Sequence, residues 1–253
     1  MYTIKNLKNN PNIEMTAQAG PFTIWEYKQE RSTNIADASM EYYASKMNIR
    51  KRQVLCQVSR GEGIVLQAGA MQWTAGNVNA TTGVKGVGDF FGKMIGGSVT
   101  GEAGIKPEYQ GEGVVMTEPT YKYLLPVDVS EWGSGIVLED GMFLACSERL
   151  ERKVVSRKSL SSAVAGNEGL FNLCLRGSGV AILESRYPKE ELIEITLEND
   201  ELKIDGSMAV AWSADLQFTV ERAGKTLVGS AASGEGLVNV FRGTGKVLMA
   251  PVA

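Results

Sequence analysis

Apolar and polar residues alternate with a period of two wherever this chain has a readable rhythm. Ile193, Ile195 and Leu197 are set against Glu194, Thr196 and Glu198, and Leu216, Phe218 and Val220 against Gln217, Thr219 and Glu221. Such alternation predicts strands with one buried and one wet face. Phe22 to Tyr27 reads the same way, and further strands are expected through Met71–Trp73, Met142–Ala145, Val154–Val155 and Met208–Trp212. Helical signals are weak: Asn34 to Met47 has some helical spacing, and Asp89 to Ile95 could form one or two turns. Many short strands separated by glycine-rich turns predict an all-β sandwich or barrel.

The strand pattern repeats. Gly111-Glu112-Gly113, Gly177-Ser178-Gly179 and Gly243-Thr244-Gly245 each lead into an apolar run, with first glycines 177−111 = 66 and 243−177 = 66 residues apart. A second marker keeps step, because Glu102, Glu168 and Glu235 stand just before Gly104, Gly169 and Gly236. A third runs from Gly63 to Gly69, from Gly135 to Gly141 and, more loosely, from Asp200 to Gly206. Self-similarity at a fixed period marks a repeated architectural unit. The expected organisation is an extension over residues 1–40, with a strand at Phe22–Tyr27 closing a sheet edge. One body of three repeats follows, about 41–104, 105–169 and 170–253.

Composition narrows the function. A net charge of −3 offers no general field for nucleic acid or anionic membrane, and the basic run Arg50-Lys51-Arg52 is too short to change that, so it is expected on a solvated strand. The chain has no histidine, which removes Ser-His-Asp and Cys-His catalysis and most zinc sites, and the expectation is a protein that is not an enzyme and carries no cofactor or metal. Cys56, Cys146 and Cys174 sit in apolar contexts and should be buried, reduced thiols. The four tryptophans are expected in the core, with Trp73 and Trp212 filling related layers. There is no apolar run of membrane-spanning length and no signal-peptide order at the N-terminus, so a cytoplasmic setting is expected.

Candidate ligand groups are few. Lys85 and Lys93 flank the glycine-rich run Gly83–Asp89 and could grip a small anion or nucleotide, although neither a dinucleotide fingerprint nor a P-loop is present. Glu102, Glu168 and Glu235 could converge as ligands, but symmetric carboxylates usually share one structural task. Lys158 to Ser162 reads as a turn rather than a Ser-Lys pair. The expected role is a non-enzymatic binding or scaffold protein acting through a protein partner or self-association, with the small-anion binder as the alternative.

The run Leu66–Trp73, the stretch ending Thr100-Gly101-Glu102, the element Ser162–Phe171 and the closing Ser233–Val238 to Gly243–Gly245 resemble the Altered-Inheritance-of-Mitochondria protein 24 family over roughly residues 41 to 253. The resemblance implies a fold similar to that of the tryptophan RNA-binding attenuation protein, with three like β units around a pseudo-threefold axis. The family is widespread in bacteria, and its fungal member is associated with organisation of the mitochondrial inner membrane. The resemblance supplies no catalytic motif to carry over, and RNA binding does not follow from the fold.

Overall fold

The computed structural model describes residues 1–81, 106–156, 171–206, 208–222 and 237–251. An N-terminal hairpin of β1 (Ile13–Ala19) and β2 (Phe22–Tyr27) is followed by helix α1 (Ala38–Lys46). Next come β3 (Arg52–Val58), β4 (Ile64–Leu66), β5 (Met71–Thr81), β6 (Glu108–Thr117) and β7 (Tyr123–Asp128). The middle of the chain forms β8 (Ile136–Leu138), β9 (Phe143–Ser147), β10 (Glu151–Ser156), β11 (Phe171–Arg176) and β12 (Val180–Ser185). The last strands are β13 (Ile193–Asp205), β14 (Ala209–Ser213), β15 (Gln217–Arg222) and β16 (Leu237–Met249). The protein is thus all-β apart from α1 and short 3-10 turns, as the alternation predicts.

Two sheets result. The nine-stranded one runs β1-β2-β3-β6-β4-β9-β12-β7, with β5 also on β6, and it curls until β1 lies beside β7, nearly closing a barrel. The seven-stranded one runs β10-β11-β8-β14-β16-β13, with β15 on β16, and forms a half-barrel. Phe22, Ile24, Val54, Cys56, Ile64 and Ile182 fill the first barrel. Trp212 packs with Phe218 and Phe241 in the second, with ring centroids 5.1–5.4 Å apart. Val65, Ile136, Leu138, Phe143 and Leu175 belong to a third cluster that draws on both sheets.

The glycine markers have a backbone cause. Gly111, Gly177 and Gly243 all have positive φ (+122°, +102° and +119°), conformations that residues with a Cβ rarely adopt. They are not lead-in turns, however. β6 and β16 run straight through their Gly-x-Gly, and only the middle copy breaks, between β11 and β12. These glycines bend long strands so that one strand serves two pairings in sequence. Before the bend, Ile64 pairs Tyr109, Ile136 pairs Leu175 and Leu202 pairs Phe241; the second partners are 175−109 = 66 and 241−175 = 66 apart.

Two expectations need correction. Phe22–Tyr27 is a strand and pairs with β3, but it is one half of a hairpin, and β1 was not foreseen because its alternation is interrupted by a bulge between Met15 and Ala17. Trp73 and Trp212 do not fill related layers. Trp212 pairs Val247, whose counterpart two periods back, 247−132 = 115, pairs Thr74, so Trp73 is one residue out of step and faces a different cluster. The strand expected at Met71–Trp73 is present and continues to Thr81 as β5. Trp25, Trp132 and Trp212 are buried and Trp73 is half-buried, while all three cysteines are free and buried.

Candidate functional site

Alternation on β2 and β3 builds a site from the outside of the barrel. With Phe22, Ile24, Val54 and Cys56 directed inward, Thr23, Trp25, Leu55 and Gln57 are left on the outer face, where they floor a cleft of about 1330 Å³. Met15 and Gln18 of β1 extend the floor, and the walls are Lys8, the Ser59–Gly63 turn and the Ser147–Arg149 turn. The two turns are tied together: Glu148 Oε2 accepts the Gly63 N–H at 3.1 Å and Oε1 accepts the side-chain amide of Gln110. The closeness of the turns favours glycine at 63, since a Cβ there would lie 2.9 Å from the Tyr109 carbonyl oxygen of the backbone and would displace the Glu148 carboxylate. Arg152 fixes the second turn from below by donating to the carbonyls of Glu148 and Leu150, each at 3.0 Å.

The cleft combines charged, polar and apolar side chains. Of its two carboxylates, Glu62 and Glu148, the second accepts from two donors; Gln57 donates to the Gly113 carbonyl at 2.8 Å, and the cations Lys8, Arg60 and Arg149 stand around a floor of mixed polar and apolar side chains. Arg60 makes a loose, exposed ion pair with Glu112 at 3.4 Å, whereas Lys8 and Arg149 have no carboxylate within 4 Å among the described residues. Trp25 is 6% exposed, and its Nε1 has no acceptor there.

Below the hairpin lies a second polar cluster. Lys51 Nζ stands 2.6 Å from Glu41 Oε1 of α1 and 2.9 Å from Glu30 Oε2, and it lies over the Tyr121 ring. Burial pulls the Lys51 ammonium toward neutrality, but hydrogen bonds to Glu41 and Glu30 outweigh it and hold its pKa above the ordinary lysine value. The hydrogen bonds from Lys51 and then Thr33 hold the Glu41 carboxyl low. Arg52 pairs with Glu26 at 2.6 Å and stacks on Tyr123. The basic run is therefore no solvated strand: Arg52 is buried, and β3 starts only at Arg52. The carboxylates that neutralise it come from β2, the segment after it and α1, separated from it by up to 26 residues, with no signature to announce the pairing.

Lys85, Lys93, Glu102, Glu168 and Glu235 all lie outside the described residues, as do Gly83–Asp89, Asp89–Ile95 and Lys158–Ser162. Among the described residues, no three His, Cys, Asp or Glu side chains are grouped to hold a metal, and no helix is long and apolar enough to cross a membrane. The cleft residues were not foreseen, because Ser59–Gly63 and Ser147–Arg149 meet through the β4–β9 pairing, with Gly63 and Glu148 85 positions apart.

A family model described as mitochondrial biogenesis AIM24 matches residues 46–252. An uncharacterised protein of Streptococcus pyogenes serotype M6 is 27% identical over 198 residues, covering 75% of this chain and 77% of that protein. The crystal structure of a Streptococcus pyogenes protein, solved by a structural genomics consortium, matches with a TM-score of 0.59 at 23% identity, covering 81% of this chain and 89% of that one. At that identity the likeness concerns the fold.

Proposed function

We propose that this chain, which belongs to the mitochondrial biogenesis AIM24 family, is a non-enzymatic scaffold or binding protein that works through surfaces shared by three like β units. The observation that carries this reading is the way one unit is joined to the next. Ile64, Val65 and Leu66 pair with Ser147, Cys146 and Ala145, and Ile136, Val137 and Leu138 pair with Ser213, Trp212 and Ala211 in the same register. Both joints are additions of one strand to another unit's edge, a mode by which separate chains also associate. Light scattering across a range of concentrations tests it: a defined oligomer is expected, and a strict monomer at every concentration would remove the assembling version.

A second reading, a small-anion or nucleotide binder, is favoured by Lys8, Arg60 and Arg149 around the cleft. A thermal-shift panel of phosphates and nucleotides decides it, because a ligand at ~100 times its Kd adds about 2.7 kcal/mol. No shift from any of them would sink it.

A further inference from the structure

The joint used twice within the chain leaves one unmatched partner at each end. Leu202 holds the place of Ile64 and Ile136, since all three pair with the 66-residue series Tyr109, Leu175 and Phe241. Thr74 holds the place of Cys146 and Trp212, since these pair Val115, Ala181 and Val247, again 66 apart. The register of the two existing joints, applied a third time, sets Leu202 against Ala75, Lys203 against Thr74 and Ile204 against Trp73. Among the described residues no such ladder forms: β13 pairs only with β16, and β5 only with β6, in different sheets.

β5 is built to be covered. Its counterparts β9 and β14 are buried at every position, whereas β5 is exposed along most of its 11 residues and carries no charged side chain. Edge strands left in water are normally protected by charges, proline or bulges within the edge. β5 has a bulge only at its start, between Met71 and Trp73. The other end differs. Residues 200–205 of β13 carry Asp200, Glu201, Lys203 and Asp205, and the Glu201 N–H is turned to Asp200 Oδ1 at 2.8 Å. Two such acidic edges repel each other, but a neutral edge accepts one.

Building on the scaffold reading, we propose that the β13 edge of one copy adds to the β5 edge of the next, in the register Leu202–Ala75, Lys203–Thr74 and Ile204–Trp73. The contact is head-to-tail, so it closes into a ring or continues as a filament. The test is disulfide trapping with Thr74→Cys and Lys203→Cys, both at exposed positions, while the native thiols are buried. Oxidation of the double variant should yield a ladder of dimers and larger species on a non-reducing gel, and a mixture of the two single variants should stop at dimers. Oxidised thiols at monomer mass would show closure within one chain and overturn the proposal. Equal trapping of Thr74→Cys with itself would instead mean a symmetric β5–β5 dimer and also overturn it. Absence of trapping in a protein that light scattering finds oligomeric refutes this joint while leaving the scaffold reading intact, and a monomeric wild type removes both. Thr74→Asp, which sets a carboxylate among those of β13, should lower the assembly mass with the melting temperature of the isolated chain kept.

Discussion

Removing the Lys51 ammonium should loosen the N-terminal helix and lower the stability of the whole protein. Glu41 is the only buried residue of α1, while Met40, Tyr42 and Tyr43 of that helix are exposed, so the helix is held by an ion pair and not by an apolar face. Lys51 serves two carboxylates at once, and Glu30 Oε1 and Glu41 Oε2 are already buried without a partner. In Lys51→Met both acids lose their cation together. Breaking a buried pair by removing one member costs about 3–5 kcal/mol, and because Lys51 is 22% exposed the low end, about 3 kcal/mol, applies. For a chain of this size that is a drop of about 6–12 °C in Tm.

The pH dependence gives the same prediction a second handle. In the wild type the Glu41 carboxyl is held low, so its contribution is present above the ordinary value of 4.5 and is lost as pH falls below it. The raised Lys51 pKa adds stability that is present at neutral pH and lost as pH rises beyond the ordinary lysine value of 10.5. In Lys51→Met the two facing acids push one pKa upward, so acidification relieves the variant before it harms the wild type. Melting curves at pH 8 and pH 5, with tryptic cleavage followed at Arg31 and Lys46, measure this. A variant that melts within about 2 °C of wild type at pH 8, or whose deficit does not shrink toward pH 5, would refute the reasoning.

Gly111→Ala should cost more in urea unfolding than Gly69→Ala. Both have positive φ, but a Cβ at Gly111 meets the Asn77 carbonyl at 2.1 Å whereas one at Gly69 meets open space, so equal losses would show that the close approach is not felt. Phe241→Ala should lose about 3–5 kcal/mol because Phe241 is fully buried between Trp212 and Phe218; a loss under about 1 kcal/mol would contradict that packing. Burial pushes the Cys146 thiol up to about 12, and burial raises Cys56 as well, so a thiol reagent at pH 8 should label no cysteine before denaturation and three after it. Glu221 is held at about 2 by hydrogen bonds from Arg242 and then Thr219, and an NMR titration of Arg242→Met should find it back toward 4.5; no movement would mean that the pair does not form in solution.

The strands were legible because burial on one face leaves a period of two in the sequence, as at Ile193–Leu197, and the glycine markers were legible because positive φ at Gly111, Gly177 and Gly243 restricts the residue type. The role of those glycines was not, since a bend inside a strand and a turn between strands call for the same residue. Lys51 and the cleft were hidden for a different reason. Their partners are distant in the chain, and one salt bridge or one wall residue leaves no periodic trace, so Glu41 and Glu148 look like any exposed acid until α1 and β9 have been placed.

The 66-residue spacing directed attention to Glu102, Glu168 and Glu235, which lie outside the described residues. The structural differences lie elsewhere. Thr74, Cys146 and Trp212 pair with Val115, Ala181 and Val247, which are 66 residues apart, yet the first is exposed and the other two are buried. The N-terminal hairpin supplies part of the cleft, and helix α1 supplies Glu41 to the Lys51 cluster. β5, exposed along most of its length where β9 and β14 are buried at every position, is therefore the first surface to probe.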